Sequence, residues 1–288
     1  MSAWRSLVGV LFAAAALLAA ARTSAAGIFD GSAKTFDAFI PGHPELAWKT
    51  VLKTFLVEAH VNDKGAIEAS SAPQLRLLKS DEDTLPDTLL VTSLTARDVV
   101  EKGHPRLLVL AEFDPSGGET LGVALLALID TTGEPKLLDL LSVAEDRETY
   151  LEPGAPLKIG RDSDLILISN AHLDAGADYQ IRTAYFVDGD RLHVLDRVFL
   201  LSVTPCGFRR TQQIHYAVQP APGVAFDSLQ VTATEKTERI AEDCDPSKGF
   251  KAGVRTWRAS YRWNPLKREF VAHSKALDDL AKHNSEGL

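Results

Sequence analysis

Cysteine, methionine and aromatic residues are scarce in this chain. Of 288 residues only two are Cys (Cys206 and Cys244), one is Met, and 7% are aromatic. Two cysteines exclude a disulfide-dense small scaffold and a cysteine-rich zinc fold. Positive charge is also in deficit, with 31 Lys and Arg against 39 Asp and Glu and a formal net charge of −8. An acidic field of this size repels polyanions, so neither nucleic acid nor an anionic membrane is an expected partner. Beyond the first residues there is no long apolar run, so no transmembrane helix is expected there. The short catalytic and cofactor motifs are missing too. There is no Gly-x-Ser-x-Gly elbow, phosphate loop, dinucleotide fingerprint, His-Glu-x-x-His or Cys-x-x-Cys. No metal and no cofactor is therefore expected.

One apolar run is present. Leu7 to Ala21 is uninterrupted, follows Arg5 and ends at Arg22. As a helix it would reach about 22 Å, short of the ~30 Å hydrocarbon core. Thr23-Ser24-Ala25-Ala26 follows, with small residues placed for a cut after Ala25 or Ala26. A basic start, a short apolar core and a small-residue exit define a cleavable export signal over 1–26, and a periplasmic or secreted destination. In such a compartment Cys206 and Cys244 predict a disulfide, worth about 4 kcal/mol if unstrained. A redox pair or two free thiols are the other arrangements, and the redox pair lacks its usual spacing.

Residues 27–288 read as one β-rich globular domain, with a candidate internal boundary near residue 104. Pro44 to Phe55 carries Leu46, Val51, Leu52 and Phe55 at helical spacing. Asn62-Asp-Lys-Gly65 marks a hairpin turn between Phe55 and Ile67. Thr95 and Asp98 have capping-box spacing and Gly103 suits a C-terminal cap, which predicts a helix over 96–102. From Arg106 onward the pattern is β. Arg106–Phe113, Thr120–Ile129, Lys136–Val143, Asp164–Ser169, Tyr179–Val187 and Arg191–Val203 are apolar runs separated by turn residues. Asp188-Gly-Asp190 between two of them is a tight hairpin signal. In Gly253–Trp263, Trp257, Ala259, Tyr261 and Trp263 alternate with Thr256, Arg258, Ser260 and Arg262, as a half-buried strand requires. Arg268–His273 returns from it, and a short helix over 275–283 follows Ser274. The fold expected is mainly β, built from antiparallel meanders, propeller-like or a sandwich, with a few short helices.

The stretches 107–143 and 164–203 share an outline of three strands, and Asp139 and Asp196 occupy matching places in them. Repeated strand units point toward a propeller or another repeated-sheet architecture.

Candidate functional residues are few. Asn170 and His172 follow an apolar strand and point to one side, where loop-borne groups often act. A strand end turning polar as it meets water is the plainer reading. Arg209 and Arg210 lie beside Cys206 and, with Arg255, Arg258 and Arg262, suggest a basic patch for an acidic protein or glycan. Solvated strand charges are the alternative. Ser116 before two glycines reads as a loop. Asp188/Asp190, Asp243/Asp245 and Asp278/Asp279 each have a local structural reason, a turn or a helix. The sequence thus predicts an exported, non-catalytic binding protein whose partner is a protein or glycan. The alternative is an exported hydrolase with dispersed residues, His172 and a carboxylate among them.

Overall fold

The structure is a computed structural model that describes residues 27–76, 85–114, 122–172, 177–204, 207–240 and 251–285. The export signal, Ser116, Cys206, Cys244, Asp243/Asp245 and most of the acidic stretch 80–86 lie outside the described residues.

The chain opens with β1 (Ile28–Asp30), α1 (Ala33–Asp37), β2 (Phe39–Ile40), β3 (His43–Ala47), α2 (Trp48–Leu52), β4 (His60–Val61) and β5 (Ile67–Ala69). A meander follows: β6 (Leu89–Glu101), β7 (His104–Phe113), β8 (Val123–Asp130) and β9 (Lys136–Ser142). Then come β10 (Glu148–Leu151), β11 (Leu157–Gly160), β12 (Ser163–His172), β13 (Ala177–Val187) and β14 (Leu192–Val203). The last elements are β15 (Phe208–Gln219), β16 (Ser228–Arg239), β17 (Gly253–Asn264), β18 (Glu269–Ala272) and α3 (Ala276–Ser285).

Every strand pair is antiparallel. One sheet runs β4-β5-β6-β7-β8-β9, with β1 also on β6. The second runs β10-β12-β13-β14-β15-β16-β17-β18, with β11 also on β12. The chain is therefore mainly β with short helices, as expected. Apart from the small β2-β3 pair, its strands gather into two long sheets that stack, and separate four-stranded blades do not appear among the described residues.

Stacking explains the composition of each strand. Leu108, Leu110, Leu126, Leu128 and Leu141 of the first sheet pack against Ile166, Ile168, Tyr185 and Val187 of the second. The opposite face of the first sheet, with Leu107, Val109, Leu125 and Ala127, is covered by Phe36, Trp48, Val51 and Leu52 from α1 and α2. Strands β7 and β8 are thus buried on both faces and read as near-continuous apolar runs. Burial overrides the weak β-preference of Leu and Ala in β8. The second sheet doubles over. Its β14 and β15 pair only at Ser202↔Thr211 and Val203↔Arg210. Beyond that bend, Tyr216, Leu229, Val231, Ala259 and Tyr261 of β15–β17 lie over Leu165, Leu167, Ala184 and Phe186 of β12–β13. Three β layers result, and α3 closes one end through Leu280 against Val198, Leu200 and Trp257.

The helix predicted over 96–102 is instead the second half of β6. Leu94 pairs with Ala111, Ala96 with Val109 and Glu101 with His104. Lys102 and Gly103 both take positive φ, 47° and 83°, in the two-residue turn between β6 and β7. That is the mirror-image hairpin geometry, which glycine permits. The glycine that suits a helix cap thus belongs to a hairpin, and ladder pairing outweighs the local capping signal. The helix predicted across Pro44–Phe55 is also shorter than expected. Pro44 and Leu46 lie in β3, and only Trp48–Leu52 is helical. The 62–65 hairpin and the C-terminal helix form, the latter over Ala276–Ser285 with the Ala276 amide donating to Ser274 Oγ at 3.0 Å. The strongly alternating β15 and β16 complete the third layer. No helix among the described residues is long and apolar enough to cross a membrane.

Candidate functional site

Asn170 and His172 do lie on one side of β12, the side that faces the first sheet. Their roles differ. Asn170 is 1% exposed. Its Oδ1 accepts from the Glu145 amide at 2.8 Å and from Thr149 Oγ1 at 2.7 Å, and its Nδ2 donates to the Val143 carbonyl at 3.0 Å. It pins the 143–149 connection and is fully engaged in doing so.

His172 is partly exposed. Its Nδ1 lies 2.8 Å from Asp146 Oδ1, and its ring stacks on Tyr179 with centroids 4.9 Å apart and planes 3° from parallel. The Tyr179 hydroxyl donates to the other Asp146 oxygen, and the Arg147 amide donates to Oδ1 at 2.7 Å. Burial pushes the Asp146 carboxyl up, but the Tyr179 hydroxyl, His172 and the Arg147 amide together outweigh it and hold the group below the usual carboxylate range. The same contact, aided by burial, pushes the Tyr179 phenol up to about 12. An ionised carboxylate only accepts, so His172 donates to it from Nδ1. This is the geometry of an oriented general base.

The predicted basic patch does not assemble. Adjacent strand residues point to opposite faces. Arg210 points inward and is 2% exposed. Its Nε meets Glu235 Oε2 at 2.5 Å and its Nη2 meets Asn284 Oδ1 at 2.8 Å. Arg209 points outward beside Glu238. Arg258 and Arg262 share that outer face, but Arg258 pairs through Thr232, six residues along β16 from Glu238 and so about 20 Å away. Arg255 lies on the inner side, 5.7 Å over the Trp257 ring.

Cations collect elsewhere, at the Asp188-Gly-Asp190 hairpin. There Gly189 and Asp190 take positive φ, 65° and 60°. Asp188 is buried and accepts from Lys102 Nζ at 2.5 Å and from Arg268 Nε at 2.9 Å. Burial raises its carboxyl, but these two cations outweigh burial and lower it. Arg106 reaches Asp190 at 2.8 Å and Asp130 at 3.3 Å. Arg76 bonds Asp139 at 2.5 Å and the Leu192 carbonyl at 2.6 Å, while the Leu192 amide donates to Asp139 at 2.8 Å. These ion pairs tie the hairpin to the first sheet and to the β17–β18 turn.

Between the two turns lies a cleft of ≈ 680 Å³. Arg76, Arg191, Lys267 and Arg268 stand in its wall with Asp188 and Glu269. His193, Phe186 and Phe270 line it as rings. His193 stacks on Phe186 at 5.2 Å, and Phe270 meets Phe186 edge-on at 5.1 Å. Sequence reasoning did not find this site, because its halves are far apart in the chain. Nor did it name Asp146 or Tyr179, a lone acid in a loop and an aromatic in a strand. The two-residue periodicity of β15 was the signal that would have separated Arg209 from Arg210.

Among the described residues no group of three or more His, Cys, Asp or Glu side chains is placed to share a metal ion. No family model matches the chain, and neither a curated protein nor a solved structure is significantly similar to it.

Proposed function

We propose that this chain is an exported, non-catalytic binding protein and that its ligand sits in the cleft between the β13–β14 and β17–β18 turns. The observation that carries the reading is the chemistry of the cleft wall. Asp188 is held by two cations, and His193 Nε2 donates to the Asp188 carbonyl at 3.1 Å. What remains toward solvent is guanidinium, ammonium, the Glu269 carboxylate beside Lys267, and ring face, a mixed polar and aromatic wall suited to holding a ligand. Export rests on the 1–26 signal. The Cys206–Cys244 bridge belongs to the same reading and is supported by its neighbours, since Phe208 pairs with Arg239 and the Ile240 amide donates to the Gly207 carbonyl at 3.0 Å.

The test is a thermal-shift screen of small anions and oligosaccharides, with each hit checked for chemical change. Stabilisation by an intact ligand is expected, and turnover of the hit would refute the reading. Protein from its native host is expected to start at Ala26 or Gly27 and to show two hydrogens missing by mass. An intact Met1 would remove the export claim, and two free thiols would remove the bridge.

A specific observation favours a second reading, an exported hydrolase. His172 is oriented by Asp146 at 2.8 Å with Tyr179 behind it. Hydrolysis of any ester, amide or glycoside in a substrate panel, abolished by His172→Gln, would establish it in place of the first.

A further inference from the structure

We infer that the cleft takes a carboxylated sugar, a uronate-bearing oligosaccharide. The inference rests on the binding reading above and names the ligand class for the same site.

The wall carries four cations and two carboxylates in a chain whose formal net charge is −8. Lys267 lies 3.5 Å from Glu269, a partner within the same wall. Arg76 is held by Asp139, and Asp188 is 3% exposed and already shared by Lys102 and Arg268. Arg191 is exposed, and its side chain has no ion-pair or hydrogen-bond partner among the described residues. Among the described residues Arg191 is therefore the wall cation left uncompensated, and its guanidinium favours an anion. Guanidinium groups also match carboxylate geometry with paired donors.

Charge alone would suit any small anion. The rings narrow the choice. His193 lies against Phe186 through one face, and Phe270 is fixed against Phe186 and against Trp263 at 5.4 Å. Partly exposed rings held by a buried aromatic cluster form a rigid platform, and the C–H face of a pyranose stacks on such a platform. At ≈ 680 Å³ the cleft is larger than a single small anion needs and falls within the range of sites for larger organic ligands. The Arg268 side chain is clamped on Asp188 by two nitrogens, so little ordering accompanies binding.

The test is calorimetric titration of the full mature chain with digalacturonate, with the neutral galactose disaccharide, and with citrate. Digalacturonate is expected to bind about tenfold or more tightly than either control, and to weaken as salt is raised. Arg191→Ala, at an exposed position, is expected to lose about tenfold in affinity with unchanged melting temperature. Phe270→Leu keeps the cluster apolar and is expected to weaken digalacturonate but not citrate. Equal binding of the neutral disaccharide, equal binding of citrate, or an unaffected Arg191→Ala would each overturn the inference. If digalacturonate fails while the wider screen yields a hit sensitive to Arg191→Ala, this inference falls and the binding reading stands. If no compound binds, both fall.

Discussion

Arg210 offers the sharpest test of how the third β layer is held. It is 2% exposed, and its partner Glu235 is 5% exposed. Around them Gln212 Nε2 donates to Glu235 at 2.8 Å and to Asn284 at 2.7 Å, and Asn284 Nδ2 donates to the Phe199 carbonyl at 2.9 Å. The network joins β14, β15 and β16 to the last turn of α3. Arg210→Ala leaves a buried carboxylate without its cation, which destabilises by about 3–5 kcal/mol, or roughly 6–20 °C in melting temperature. Arg210→Met with Glu235→Leu removes both charges. Gln212 and Asn284 still satisfy each other, so the double variant is expected within about 1 kcal/mol of the wild type or above it. Urea denaturation followed by tryptophan fluorescence reads this directly, because Trp257 lies 5.3 Å from His283, which itself contacts Glu235 at 3.0 Å. If Arg210→Ala lowers stability by less than about 1 kcal/mol, the pair behaves as an exposed surface bridge and the packing described for α3 is refuted.

Three further outcomes are expected. At Gly31 a Cβ would stand 1.7 Å from the Val91 carbonyl oxygen, so Gly31→Ala is expected to lower the urea midpoint by the equivalent of about 3 kcal/mol or more. An unchanged midpoint would contradict the close approach of β1 to β6. Asn170→Ala removes the acceptor of the Glu145 amide and of Thr149 Oγ1 and the donor to the Val143 carbonyl, at about 1–3 kcal/mol for each buried bond lost, and hydrogen exchange at the Glu145 amide is expected to speed up. Asp196 is raised above its ordinary value of 3.8 by burial, with the Tyr261 hydroxyl and the Arg197 amide opposing. A raised folded value contributes stability below the unfolded value and loses it as pH rises through the folded one. Asp196→Asn is therefore expected to gain on the wild type as pH climbs from about 4 toward 8, and a loss at neutral pH would show that the charge is needed.

Much of the β architecture is legible wherever one face is buried and the other wet. In β17 the four aromatic and small residues fall on one face and Arg258 and Arg262 on the other, and period two is unmistakable. The Asp188-Gly-Asp190 hairpin is legible because so few sequences satisfy two consecutive positive φ angles. Thr95–Gly103 misleads because a helix cap and a hairpin turn call for the same glycine, and only the partner strand decides between them. The site is harder. Its rings and cations come from two turns that meet only when the second sheet doubles over. Arg209 and Arg210 fail as a pair for a reason the sequence does contain, since neighbours on a strand cannot share a face.

The repeated outline of the two meanders has a structural counterpart. In β9, Leu137 pairs with Ile129 and Asp139 with Leu128, so Leu138 bulges. In β14, Val194 pairs with Tyr185 and Asp196 with Ala184, so Leu195 bulges. Each carboxylate follows a bulge in the third strand and reaches into the next layer, Asp139 to the Leu192 amide and Asp196 toward Tyr261. The two differ in their partners. Asp139 is compensated by Arg76, whereas Asp196 Oδ2 is buried with no hydrogen-bond partner. Asp139, the compensated carboxylate, anchors the first residue of β14, and that anchor sets where Arg191 and His193 stand on either side of it. The position of the cleft is thus a consequence of the layer-to-layer contact made by the earlier meander, not of the cleft residues alone.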